Sequence, residues 1–314
     1  MTSVLLTAQH SKVETSGSSP AGISTRVHST SELLLALDRV EKGDSIIIKS
    51  PASLDLTGLH PVKIPSGVVV LGDRGFAGSP GPLMFTTSPG SLPLLLVTGD
   101  STRISGLRLV GPDSSKRTLQ MKALHALGRY YSIPVSRGIQ TQADHLEVDN
   151  CEISGWSHAG IFLDSGAVHA NIHNNYIHHN QRSGLGYGVA LKAADARIYN
   201  NHFDWNRHAI AGTGEPGTSY HAHDNTIGPN ASGHAFDMHG HWQNKDSKPV
   251  GGDSILIENN VFHLTNYPAV MIRGTPRLGA DIRHNTFNTT KTGRAVVLKN
   301  GAESVNLHNN TLSP

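Results

Sequence analysis

A six-residue pattern, aliphatic-x-Asn-Asn-x-aliphatic, recurs along the second half of the chain and limits its fold more than any other feature. It reads Ile172-His-Asn-Asn-Tyr-Ile177 and Ile198-Tyr-Asn-Asn-His-Phe203, with looser copies at Ala222–Ile227, Ile257–Phe262, Ile282–Phe287 and Leu307–Leu312. Val148–Ile153, carrying Asn150 and Cys151, is a degenerate first copy. Successive copies lie 24, 26, 24, 35, 25 and 25 residues apart. The pattern accounts for an uneven composition, because all 20 Asn fall at or after position 150. A second pattern lies between these copies and starts with Gly or Ala followed by an apolar residue. It begins at Gly138, Gly160, Gly188, Ala209, Ala235, Ala269 and Ala295. Each unit thus holds three short strand-like runs and no helical periodicity. One such unit cannot bury its own apolar side chains, so the units must stack.

Three short strands in a unit of 24–26 residues predict one coil of an all-β, right-handed parallel β-helix. The Asn column has a physical reason: the bend between two strands needs a residue that tolerates the left-handed region, and stacked Asn side chains can bond the next coil. Ser29-Thr-Ser-Glu32 is a capping box opening an amphipathic helix over Leu33–Val40, expected to plug the open end of the solenoid. Strands are expected at Ser45–Lys49, Val68–Leu71, Leu94–Val97 and Arg103–Val110. Residues 1–24 read as a Ser/Gly/Thr-rich arm, and residues 25–314 as one β-helix domain. Within that domain, residues 111–135 read as an inserted helix or loop over one flank. The extra length of the 35-residue unit falls at residues 240–252.

Composition excludes several classes. Charged residues make up 16% and the net charge is +2, which argues against a nucleic-acid binder. No apolar run is long enough to span a membrane. The amino terminus lacks the basic region of a secretory signal, and nothing in the sequence reports an oligomeric state. A single cysteine, Cys151, rules out an internal disulfide framework and a Cys-based zinc site.

In a solenoid of this kind functional groups form columns across coils about 4.8 Å apart, not local motifs. Aligning the Gly/Ala strands gives an outward column Gln140, Phe162, Ala190, Ala211, Asp237, Met271 and Val297. Two residues further on stands a second column: Gln142, Asp164, Lys192, Thr213, His239, Arg273 and Lys299. The turn before each strand carries Arg137, Ala159, Tyr187, His208, His234, Pro268 and Arg294. Together these place Tyr187, Lys192, His208, His234, Asp237, His239 and Arg273 on one face as candidate catalytic residues. Arg137, Asp164, Lys299, Tyr130 and Trp242 are candidate substrate contacts. Trp242 sits in the long loop, where it either stacks on a sugar or pins the loop.

His234-Ala-Phe-Asp-Met-His-Gly240 resembles the Tyr-Gly-Phe-Asp-Pro-His-Glu signature of mannuronan C-5 epimerases, within the pectate-lyase-like β-helix superfamily. Phe236, Asp237 and His239 match, whereas His234 stands for the family's catalytic Tyr, Met238 for Pro and Gly240 for Glu. Lys192 and Arg273 correspond by column to the family's flanking basic residues. The resemblance implies a β-helix and a uronate-containing polysaccharide as partner.

The residue types suit proton abstraction alpha to a carboxylate. A cation must neutralise the carboxylate, for which Arg273 and Lys192 are suited. A base of near-neutral pKa must take the proton, which fits His239 oriented by Asp237. Tyr187, His234 or His208 would serve the opposite sugar face. Returning the proton gives an epimerase; expelling the C-4 oxygen gives a β-eliminating lyase. No cofactor is required by this chemistry. The alternatives are a divalent metal ion on Asp237, His239 and His241, a hydrolase, and a non-catalytic carbohydrate-binding solenoid.

Overall fold

The structure is a computed structural model that describes residues 22–113, 119, 122–124, 126–129, 133–245, 247–300 and 303–313. Among these residues the chain winds into three parallel sheets of eleven, nine and ten strands. Every strand of a sheet pairs with the strand one coil away, as in Ile161↔Val189 and Val189↔Ile210. The first sheet runs from Ser24–Val27 to Val305–His308, and the second from Ser53–Asp55 to Thr311–Ser313. The third, which carries the Gly/Ala-initiated strands, runs from Val62–Ile64 to Val296–Leu298. Alternation along each strand sends one set of aliphatic side chains inward, so Ile153, Ile161, Ile172, Val189, Ile198 and Ile210 form the buried core. Phe262 stacks on Phe287 at 4.9 Å and meets Phe236 edge-on at 5.0 Å, filling the wider late coils.

The bend between the first two sheets divides its work between two adjacent residues. The first adopts the left-handed region, as at Asn174 (φ 57°), Asn200 (φ 53°), Asp224 (φ 54°) and Asn259 (φ 55°). The second forms a buried ladder in which each side-chain amide donates to the next coil's amide oxygen. Asn175, Asn201, Asn225, Asn260, Asn285 and Asn310 are joined at 2.9–3.1 Å. Each ladder oxygen also accepts the backbone N–H of the preceding rung at 2.9–3.0 Å. A shorter ladder that the repeat did not reveal joins Asn180 to Asn206 at 2.8 Å.

The amino-terminal helix spans Thr30–Leu37, three residues earlier at each end than the expected Leu33–Val40. Ser29 accepts the Glu32 N–H and Glu32 accepts the His28 N–H, while Leu33 and Ala36 are buried against the first coil. The expected strand over Arg103–Val110 is two, Arg103–Ser105 and Arg108–Val110, because Gly106 turns the chain at φ 71°. The β structure begins at Ser24, the last residue of the expected arm.

Candidate functional site

Side chains on the strand Phe236–Met238 alternate across the third sheet. Phe236 and Met238 enter the core, and Asp237 points to the outer surface between Ala211 and Met271. An outward position on such a strand is expected to be exposed, yet Asp237 is 0% exposed. Three side chains cover it. Arg273, one coil on, donates from Nε to Oδ1 at 2.9 Å and from Nη2 to Oδ2 at 2.5 Å. His239 lies 3.1 Å from Oδ2 through Nε2, and His208 of the preceding coil lies 3.2 Å from it. Burial alone would raise the Asp237 pKa. The His239 hydrogen bond and the neighbouring His208, His239 and Arg273 outweigh burial and hold the carboxyl well below its usual range.

These contacts fix the histidine tautomers. His208 Nδ1 lies 2.5 Å from the His234 carbonyl, which only accepts, so Nδ1 carries the proton. Burial pushes the His208 pKa down to about 3, so the ring is neutral and Nε2 is a bare lone pair without a hydrogen-bond partner. His239 donates through Nε2 to the ionised carboxylate, which leaves Nδ1 as the acceptor of its neutral form. Its side chain is 35% exposed, so the ring opens to the groove.

The surroundings form a trough. Its floor is the column Phe162, Ala190, Ala211, Asp237 and Met271, set in register by the strand pairing and buried throughout. One wall is aromatic: Tyr187 stacks on His208 at 5.7 Å and His208 on His234 at 5.8 Å, with interplanar angles of 12° and 16°. Tyr267 meets His234 edge-on at 6.5 Å. The other wall is the polar column Asp164, Lys192, Thr213, His239, Arg273 and Lys299. It follows directly from the register Leu163↔Leu191↔Gly212↔Met238↔Ile272↔Leu298 one residue before each.

The column alignment read from sequence therefore holds, but the structure gives its members unequal freedom. Tyr187 is buried and its Oη donates to the Gly184 carbonyl at 3.1 Å. His208 is enclosed at 1% exposure, whereas half-buried His234 has an unpartnered Nδ1. Arg273 is not a free cation: it is committed to Asp237. Lys192 Nζ lies 3.9 Å from Asp164, two rungs or about 10 Å from the His239 level. Arg137 is held by His158 Nδ1 at 2.5 Å and donates to Gln140 at 2.9 Å, with its guanidinium 4.2 Å over the Phe162 ring. Lys299 is exposed, and Tyr130 lies outside the described residues.

The metal set Asp237, His239 and His241 needs correction. The strand ends at Met238, and His241 instead exchanges backbone hydrogen bonds with Val250 at 2.8 and 2.9 Å, closing the long loop. Alternation is lost there, and the residue that joins Asp237 and His239 is His208. Trp242 projects from the loop at 52% exposure beside Asn244 and Lys245. Gly240 stands where the epimerase signature has Glu because a Cβ there would come within 2.4 Å of the Arg273 carbonyl oxygen. Two features escaped the sequence reading. His158 is a half-buried partner of Arg137, and its only signal was a lone His in a turn. Ala190 and Ala211 make the trough floor, and their small size in an outward column was visible in the sequence.

The family model described as a right-handed β-helix region matches residues 137–313, more than half of the chain. A comparison with curated protein sequences returns no match. Among solved structures, the chain is similar to an alginate lyase from Paenibacillus sp. str. FPU-7, with TM-score 0.64 and 16% identity over 93% of this chain and 95% of that one. It is also similar to the polygalacturonase of Erwinia carotovora ssp. carotovora, with TM-score 0.60 and 13% identity over 97% and 85% of the two chains. The Dettilon tailspike protein gives TM-score 0.54 and 13% identity over 90% of this chain and 57% of its own. Identities this low show a shared fold, and neighbours with that fold include both lyases and hydrolases of polysaccharides. On the strength of the family match and the stacked coils, the chain belongs to the right-handed β-helix family.

Proposed function

We propose that the protein is a carbohydrate-active enzyme that acts on a uronate-containing polysaccharide by abstracting the C-5 proton, as an epimerase or a β-eliminating lyase. The observation that carries this reading is the Asp237–His239 pair: Nε2 is tied to a buried carboxylate, which orients Nδ1 as a base at the open side of the trough. Asp237 also stabilises the imidazolium that forms. The negative charge that develops on the substrate carboxylate is met by the Arg273 donors not used by Asp237 and by Lys299 one rung further. Across the trough, the half-buried His234 ring is the group that would exchange a proton with the second face or with the leaving C-4 oxygen.

Hydrolysis by paired carboxyl groups fits less well. Asp237 is ionised and clamped, and the other acid of the face, Asp164, stands three rungs away, about 14 Å. Glycosidase pairs are separated by roughly 5–9.5 Å. The test is incubation with a panel of polyuronates in deuterated water. Rising absorbance of an unsaturated uronate marks the lyase, and deuterium uptake without it marks the epimerase. Neither on any polyuronate overturns the proposal.

A further inference from the structure

We propose that His208, Asp237 and His239 also form a binding site for a divalent transition-metal ion of the zinc class, and that the bound ion silences the base. The second half of this proposal rests on the function given above; the first half does not. Three ligand atoms converge: the nearest nitrogens of His208 and His239 stand 3.2 and 3.1 Å from Asp237 Oδ2, and all three atoms lie within 4.8 Å of one another. Tetrahedral zinc with bonds of ~2.0–2.1 Å separates its ligand atoms by about 3.3 Å. The two ring planes are 82° apart, so the imidazoles approach the carboxylate from different directions.

His208 supplies the second, independent observation. Its Nε2 is fully buried, has no hydrogen-bond partner and faces Asp237. Its Nδ1–H is spent on the His234 carbonyl, the outer bond that commonly fixes a metal-binding imidazole with Nε2 facing the ion. The buried His208 lone pair has no donor of its own, and a cation between it and the carboxylate oxygen satisfies it. Arg273 plays two parts. It holds both carboxylate oxygens, so its Nη2 shares Oδ2 with the ion, and its charge weakens the affinity for a dication, which makes occupancy reversible.

Metal entry needs no net loss of a proton. The His239 proton moves from Nε2 to Nδ1 through solvent as Nε2 takes the ion. Nδ1 then presents N–H where the base needs a lone pair, so turnover stops.

The test uses the full chain after chelator treatment, titrated with Co²⁺ as a visible probe and then with Zn²⁺. The expected result is one equivalent of intense four-coordinate Co²⁺ absorption, displaced by Zn²⁺. Binding should weaken at least tenfold in His239→Ala and in His208→Gln and persist in His241→Ala. His239 is partly exposed, so its variant keeps the test valid if His208→Gln fails to fold. No such band, or a band that survives His239→Ala, overturns the site. One equivalent of Zn²⁺ should lower polyuronate turnover at least tenfold, reversed by chelator; unchanged or increased turnover overturns the silencing. A band without turnover of any polyuronate in the metal-free protein leaves the site standing and removes the function, whereas turnover without a band does the reverse.

Discussion

The Asn ladder and the Asp237 trough are built alike and satisfied differently. Both are columns of polar side chains repeated coil after coil on a parallel β-helix. In the ladder every rung is the same amide, and each Asn donates to the next and to a strand carbonyl, as Asn225 does to Asn260 and Ile198. Identical groups at a fixed spacing satisfy one another completely. In the trough each rung differs, so charge and lone pairs accumulate: an ionised Asp237, a bare His208 Nε2 and an open His239 ring. Regular columns make a scaffold, and irregular ones make a site.

The largest effect that separates the two regions is on turnover. His239→Ala should lower kcat by about 10²–10⁴ and shift the melting temperature by only a few degrees. Unfolding instead would show that this column is as structural as the ladder. Conversely, Asn225→Ala should cost about 2–4 kcal/mol of stability by urea denaturation, because Asn201 and the Ile198 carbonyl lose their partner in a buried place. Its kcat per folded molecule should match the parent; a lost kcat would break the division.

Titration gives a smaller, signed difference. Burial, with Arg137 and Arg182 beside it, pushes the His158 pKa down to about 3. The unfolded chain protonates this residue below about 6.5 and the folded one does not, so the unfolded state binds the extra proton. His158 therefore makes stability fall as pH drops from about 6.5 toward 3, by up to ~1.4 kcal/mol per pH unit, and contributes nothing above. His158→Gln should remove one proton from that slope in urea midpoints taken between pH 4 and 8. The Asn ladder does not titrate, so Asn225→Ala should leave the slope as it is. The smallest effect is at Lys192, 43% exposed and far along the wall. Lys192→Ala should raise KM several-fold with kcat and stability unchanged.

The bends were legible because they recur. Asn-Asn at a spacing of about 25 residues announced the coil, and the second Asn became the ladder. The columns followed from strand register alone, so Asp237, His239, Arg273 and Lys192 were placed on one face correctly. What the register does not convey is depth. Tyr187 and His208 looked like free groups at the rim, and packing of one ring on the next buried both. His241 looked like the natural third ligand because i, i+2 spacing holds only while a strand continues, and this one stops at Met238. The short Asn180–Asn206 ladder stayed hidden because two copies are too few to stand out as a period.

By itself, then, the sequence determined the period, the solenoid, the stacked Asn bends and the membership of each column. A repeated local preference is multiplied by every coil. Only the tertiary structure decided which members of a column are buried, which cation Asp237 keeps and which histidine nitrogen is left bare. Those depend on side chains one coil away, 29 and 36 residues off in sequence for His208 and Arg273, meeting Asp237 at contact distance.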